Sequence, residues 1–136
     1  MPHQGDWQTA KTYRTSRLYN SILVSYLPVR STQTGLCQPQ DGELPPTLSF
    51  LKVEPDNLSI STIKKAERNS SIIARLYNIT DTKVDAKIGF YKKIKAANLV
   101  NMNEERIKEL SINQDNTLTL PVSPKQIVTI EIFPKE

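Results

Sequence analysis

The sequence predicts an all-β protein: an antiparallel, immunoglobulin-like β-sandwich of about seven or eight strands, preceded by an extended N-terminal arm. Three observations support this fold class. Short runs rich in Val, Ile and Thr follow one another from residue 47 onward, turn residues separate them at spacings of about 10–12 residues, and this part of the sequence has no long helical period. Since the chain has only four glycines, a glycine-rich α/β nucleotide fold has little support.

The predicted strands are the runs LSFLKVEP, NLSISTIKKAE, SIIARLYNIT, KVDAKIGFY, KAANLVNMN, ERIKELSI, TLTLPVS and QIVTIEIFP. The clearest alternation is in KVDAKIGFY, whose apolar residues share one face: Val84, Ala86, Ile88 and Phe90. ERIKELSI is compatible with a strand or with one helical turn. The aromatic residues that follow residue 47 are expected mostly at inward-facing positions: Phe50, Tyr77, Phe90, Tyr91 and Phe133.

The composition divides the chain into three segments. Residues 1–30 form the arm, in which residues 9–20 are compatible with a short helix or an extended segment, and Ile22, Val24 and Tyr26 alternate as in a strand. Residues 31–46 are rich in Pro, Gly and small polar residues, which is typical of a loop or linker. Residues 47–136 are the predicted sandwich domain.

The formal net charge is +4, which raises the question of a nucleic-acid partner. The lysines, such as Lys64, Lys65 and Lys92, are mixed with carboxylates, and no aromatic residues alternate with them as stacking platforms. We therefore expect a solvated strand surface rather than a nucleic-acid interface.

Targeting signals and membrane spans are not visible in the sequence. No run approaches the roughly 20 apolar residues of a membrane helix, and no basic start precedes an apolar run. The single cysteine, Cys37, cannot form an intrachain disulfide, which fits a reducing compartment. We expect a cytoplasmic protein, and we interpret the glycosylation patterns at Asn57, Asn69 and Asn78 as chance.

The sequence offers little for catalysis. A zinc site needs three or four convergent ligands, whereas the only histidine, His3, has one nearby carboxylate, Asp6, beside Trp7. Adjacent Glu104 and Glu105 are expected to be solvated, and Arg75, within an otherwise apolar strand, is expected to form a cross-strand salt bridge. We expect no catalytic residue, metal site or cofactor in this chain.

Several segments together resemble the C-terminal β-domain of bacterial and archaeal α-mannosidases of glycoside hydrolase family 38. They are PHQGDW, YRTSRLYNSILVSYL, LSFLKVEPDNLSISTIKKAERNSSIIARLYNIT, ANLVNMNEE and QIVTIEI. Their order and spacing are more specific than any one of them, and they span essentially the whole chain. The resemblance implies a zinc-dependent retaining exo-glycosidase whose zinc ligands and nucleophile lie in an N-terminal α/β domain that precedes this segment.

The resemblance therefore implies a non-catalytic domain or subunit, with zinc only in the missing catalytic domain. A natural subunit, a split-gene product and a fragment all remain open. We expect residues 1–30 to bind a separate catalytic chain or a second copy of this chain. His3, Asp6, Trp7 and Arg75 are the residues expected at an interdomain contact. A free-standing carbohydrate-binding module is the alternative, and a nucleic-acid-binding domain ranks below it.

Overall fold

The computed structural model describes residues 4–21, residue 45 and residues 47–135. The chain has two compact units, Met1–Pro45 and Pro46–Glu136. The first contains one helix, α1 (Thr12–Asn20). The second contains the strands β1 (Leu51–Glu54), β2 (Leu58–Lys65), β3 (Ile72–Asn78), β4 (Val84–Phe90), β5 (Ile94–Val100), β6 (Arg106–Leu110), β7 (Thr117–Val122) and β8 (Ile127–Pro134).

The eight strands form two sheets in which every strand pair is antiparallel. One sheet has the order β1-β4-β7 and the other the order β2-β3-β8-β5-β6. The predicted all-β antiparallel sandwich is therefore confirmed. The ERIKELSI run forms a strand because β6 pairs with β5, with Leu110 opposite Ala97.

The main core lies between the sheets and takes alternate residues from each strand. In β4, Ala86, Ile88 and Phe90 are buried, whereas Asp85 and Lys87 are exposed, as the alternation predicts. The same core receives Leu118, Leu120 and Val122 from β7 and Val128, Ile130 and Ile132 from β8. Burial of these aliphatic side chains is the main stabilising contribution to the sandwich.

Strand β8 is buried on both of its faces. It lies at the centre of the five-stranded sheet, and its outer-face residues Thr129 and Glu131 are also buried. A second, smaller apolar cluster of Ala66, Ile73 and Val100 lies outside the main core, and Ile73 is directly opposite Glu131 in the sheet. This cluster covers part of the outer face, so the carboxylate of Glu131 is buried.

The two sheets differ in width, and the wider one is not fully covered. Ile63 on the edge strand β2 is opposite Ala74, so the two side chains share the inner face. Ala74 is completely buried, whereas Ile63 is 52% exposed. The three-stranded sheet therefore leaves the inner face of β2 partly open.

The N-terminal unit contains the short helix that the sequence left as one of two alternatives. A turn over residues 7–11 precedes α1, and Trp7 packs edge-to-face against Tyr13, with ring centroids 6.4 Å apart. None of the helices in the described residues combines the length and the apolar character needed to cross a bilayer. The strand expected at Ile22, Val24 and Tyr26 lies outside the described residues, and the division at residues 30 and 46 stays a prediction.

Candidate functional site

The residues expected at an interdomain contact are distributed over both units. His3 lies outside the described residues. The Asp6 carboxylate accepts a hydrogen bond from the backbone N–H of Thr9 at 2.7 Å, so it stabilises the turn before α1. The Trp7 carbonyl accepts a hydrogen bond from the Thr12 backbone N–H at 3.2 Å. The interdomain role of these residues stays a prediction.

Arg75 belongs to the sandwich and is held by neighbouring strands. Its Nε donates a hydrogen bond to Thr129 Oγ1 at 3.2 Å, and the two residues are directly opposite in β3 and β8. Within residues 47–135, Arg75 forms no ion pair. The predicted cross-strand salt bridge is wrong, because the residue opposite Arg75 carries a hydroxyl group rather than a carboxylate.

The structure reveals a buried polar centre on the outer face that the sequence reasoning missed. Glu131, only 6% exposed, accepts hydrogen bonds at Oε1 from Asn69 Nδ2 at 2.9 Å and from Ser71 Oγ at 2.7 Å. Its Oε2 accepts one from Asn98 Nδ2 at 3.2 Å. The carboxylate thus joins the turn before β3 to β8 and β5 through three uncharged donors.

The charge state of Glu131 follows from two opposing effects. Burial raises the pKa of its carboxyl, because a low-dielectric environment disfavours the charged form. The hydrogen bonds from Asn69, Ser71 and Asn98 favour the carboxylate, and together they outweigh burial, so that the pKa lies below its usual value. Glu131 is therefore an anion at neutral pH. A glutamate inside the apolar run QIVTIEI was the available signal for this site.

A second acidic centre covers the same outer face. The Glu104 side chain is 7% exposed and lies 2.7 Å from Lys64 Nζ, and its Oε2 accepts a hydrogen bond from the Glu67 backbone N–H at 2.8 Å. These two contacts lower the pKa of Glu104, the one from Lys64 most strongly. The expectation that Glu104 is solvated is wrong, because the turn after β5 directs its carboxylate onto β2. Its φ of 63° is unusual for a residue with a side chain.

These two carboxylates are arranged for structure rather than for acid catalysis. A glycosidase general acid needs a raised pKa so that it carries a proton at neutral pH. Both Glu104 and Glu131 have lowered pKa values, and each oxygen of Glu131 accepts a hydrogen bond from the protein itself. Across the described ranges, no three His, Cys, Asp or Glu side chains form a group that could hold a metal ion.

An apolar groove lies at the open edge of the main core. It has a volume of about 280 Å³ and is lined by Phe50, Leu51, Ile63, Ile72, Ala74, Phe90 and Tyr91. Phe50 is 56% and Tyr91 37% exposed, and their rings meet edge-to-face with centroids 4.8 Å apart. The expectation that most aromatic residues face inward is wrong. Phe50 precedes β1 and Tyr91 follows β4 in the narrower sheet, where the core ends.

The asparagines of the glycosylation patterns are engaged in the fold. An N-linked glycan would be attached to the side-chain nitrogen. Asn78 is completely buried, and its Nδ2 donates to the Thr82 carbonyl at 2.8 Å and to the Ser123 carbonyl at 3.0 Å. Asn69 uses Nδ2 to bind Glu131. At these two positions the structure supports the interpretation of the patterns as chance.

A surface ion pair provides a testable pH dependence. The hydrogen bond from Lys87 to Asp115 and that from the Thr117 hydroxyl lower the pKa of Asp115 from 3.8 to about 2. Its stabilising contribution is therefore present above about pH 4 and is lost as the pH falls towards 2. In an NMR titration, we expect Lys87→Met to raise this pKa towards 3.8. Lys83→Met, which removes a lysine not bonded to Asp115, is expected to leave it unchanged. An equal effect of both variants would contradict this assignment.

Comparison with known proteins adds a family relationship. The family described as "Glycosyl hydrolases family 38 C-terminal beta sandwich domain" matches residues 57–130, more than half of the chain. The matched segment begins at Asn57, directly before β2, and ends at Ile130 within β8. It therefore includes strands of both sheets. No curated protein matches this chain.

Proposed function

This chain belongs to the family of C-terminal β-sandwich domains of glycosyl hydrolases family 38, and on that premise we propose that it is a non-catalytic domain or subunit of an α-mannosidase-like enzyme of carbohydrate metabolism. Its role is to support a catalytic domain of that enzyme. In this proposal, zinc belongs to the catalytic domain. The observation that carries the proposal is the family match across both sheets.

The apolar groove is the surface that we propose for docking to the catalytic domain. It exposes Phe50, Ile63 and Tyr91 next to the main core. A partner that buries these side chains removes apolar surface from water, and aromatic residues in such positions supply much of the binding energy of protein interfaces. The unequal sheets explain why the groove exists, since the three-stranded sheet ends before it covers β2.

The N-terminal segment is a second proposed contact. Leu18 and Tyr19 on α1 are 73% and 85% exposed. Apolar side chains with this exposure favour association with a catalytic chain or with a second copy of this chain. The proposal therefore assigns residues 1–30 and the groove to docking, and each can be tested separately.

Co-expression with a chain that carries the family's catalytic domain tests the proposal. We expect the two chains to co-purify and to hydrolyse an aryl α-mannoside only together. Phe50→Ser is expected to lower the association constant about tenfold, because the ring loses its apolar contact with the partner. Ile127→Ser is the matched control, since Ile127 is similarly exposed (55%) but begins β8, at the other end of the sandwich.

Two results would contradict the docking proposal. One is full activity of the catalytic chain without this chain. The other is equal loss of association in Phe50→Ser and Ile127→Ser.

The alternative, a free-standing carbohydrate-binding module, is favoured by the exposed Phe50–Tyr91 pair, since exposed rings stack on sugars. Binding of the isolated chain to neutral glycans, abolished by Tyr91→Ala, would support that alternative.

A further inference from the structure

A second groove lies on the outer face of the five-stranded sheet, separate from the apolar groove. Its larger part has a volume of about 530 Å³ and is lined by Ser70, Ser71, Lys95, Phe133, Pro134 and Lys135. A smaller part of about 260 Å³ is lined by Lys95, Ala96, Asn98, Arg106, Glu109 and Phe133. Lys95 and Phe133 line both parts, so the two parts are adjacent. The size of the larger part is within the range of small-molecule sites.

The topology explains why these residues meet. Phe133 follows Glu131 by two residues on β8, so both side chains are on the outer face, and Phe133 is opposite Ala96 of β5. The backbone N–H of Lys135 donates to the Lys93 carbonyl at 2.7 Å, which brings the end of β8 beside the start of β5. The buried Glu131 accepts hydrogen bonds from Ser71 and Asn98, so these two lining side chains are held in fixed positions.

Lysine side chains give the surface of the groove positive charge. Lys95 and Lys135, which line the groove, and the neighbouring Lys93 are exposed, and none of them forms an ion pair with any residue that the structure describes. Of the nearby carboxylates, Glu109 is paired with Arg106 at 2.7 Å, and Glu131 is buried beneath uncharged donors. The lysines are therefore available to an anionic ligand, which they attract more strongly at low ionic strength.

The other lining groups indicate what the rest of the ligand is. Phe133 is half-buried and adds an aromatic surface, and Ser70 adds a hydroxyl that can donate or accept hydrogen bonds. A phosphate, sulfate or carboxylate group suits the lysines, whereas a pyranose ring combines an apolar face with hydroxyls. We propose that this groove binds an anionic saccharide, with its acidic group at Lys95 and Lys135 and a sugar ring against Phe133.

Calorimetric titration of the full chain with a heparin-derived tetrasaccharide and with mannose 6-phosphate tests this proposal. The two probes distinguish a sulfated from a phosphorylated ligand, and binding of either supports the proposal. We expect Lys95→Glu and Lys135→Glu each to weaken binding at least tenfold. Phe133→Leu, which keeps an apolar side chain of similar volume, is expected to weaken binding at least threefold. Thermal unfolding of each variant verifies that it is folded.

The matched control is Lys83→Glu, which makes the same change in net charge. Lys83 lies between β3 and β4, at the opposite end of the sandwich from the start of β3 and the groove. We expect Lys83→Glu to change the affinity for either probe by less than twofold. Equal weakening by Lys83→Glu and Lys95→Glu would show that the chain binds anions only through its net positive charge, as an anion exchanger does. Three other results would overturn the proposal. Poly-glutamate or an oligothymidylate could displace the probe as well as an unlabelled anionic saccharide does. Phe133→Leu could leave the affinity unchanged, or neither probe could bind.

Discussion

Replacement of Glu131 by leucine is expected to lower the free energy of unfolding of the sandwich by about 3 kcal/mol, through loss of a buried acceptor. The carboxylate accepts three hydrogen bonds, from Asn69, Ser71 and Asn98. Ser71 and Asn98 are buried, so water does not readily replace the lost acceptor. For a domain of this size, the expected decrease in Tm is about 15 °C.

Glu109→Leu is the control for this substitution. Glu109 is exposed on β6 and faces Asn98 across the strand pair, on the same face of the sheet as Glu131. Among the residues that the structure describes, its side chain forms only an exposed ion pair with Arg106, so its loss is expected to cost less than about 0.5 kcal/mol. Urea unfolding followed by circular dichroism measures both variants. A cost for Glu131→Leu as small as that for Glu109→Leu would show that the three hydrogen bonds contribute nothing.

The same substitution is expected to change the response to acid. The pKa of Glu131 is lower in the folded chain than its ordinary value of 4.5. Its contribution to stability is therefore present above about pH 4.5 and is lost as the pH falls through the folded-state pKa. As the pH falls below about 4.5, the wild-type chain should lose this contribution to stability, which Glu131→Leu does not have. The difference in unfolding free energy between the two should therefore decrease on acidification.

Replacement of Asn78 by aspartate is expected to cost about 4 kcal/mol, although the two side chains have nearly the same size. Asn78 Nδ2 donates to the carbonyls of Thr82 and Ser123, while Oδ1 accepts from the backbone N–H and hydroxyl of Thr80 at 3.0 and 2.7 Å. A carboxylate has no proton for the two carbonyls. It would place a negative charge against them in a completely buried position.

These hydrogen bonds connect the two sheets, since Asn78 ends β3 and Ser123 follows β7. Asn103→Asp, at an exposed position, is the control and is expected to change stability by less than about 0.5 kcal/mol. Burial raises the pKa of the new carboxyl, so its penalty should become smaller as acid protonates it. Urea unfolding at several pH values provides the test. A loss below about 1 kcal/mol at neutral pH would contradict the structural role of Asn78.

The strands were predictable because their signals are local. Alternation in KVDAKIGFY and the turn residues on either side of it were sufficient to place β4 and its buried face, and similar patterns placed the other strands. The helix over Thr12–Asn20 and strand β6 each had two compatible interpretations. Periodicity is weak in such short segments. Residues 106–110 form a strand because they pair with β5.

The buried polar centres were not predictable, because their partners are distant in sequence. Glu131 bonds to residues that are 62, 60 and 33 positions away. A single sequence contains no signal that brings these positions together. The predicted salt bridge of Arg75 failed for the same reason, since strand order and register place Thr129 opposite it.

The succession of strands along the chain, their approximate boundaries and the family of the domain follow from the sequence, because side-chain alternation, turn residues and motif spacing are properties of neighbouring positions. The exposure of Phe50 and Tyr91, the burial of Glu104 and the position of the basic groove depend on the packing of the two sheets. Three strands facing five leave one apolar edge open. The loops at the ends of the strands cover part of the outer face, and that coverage determines which polar groups are buried.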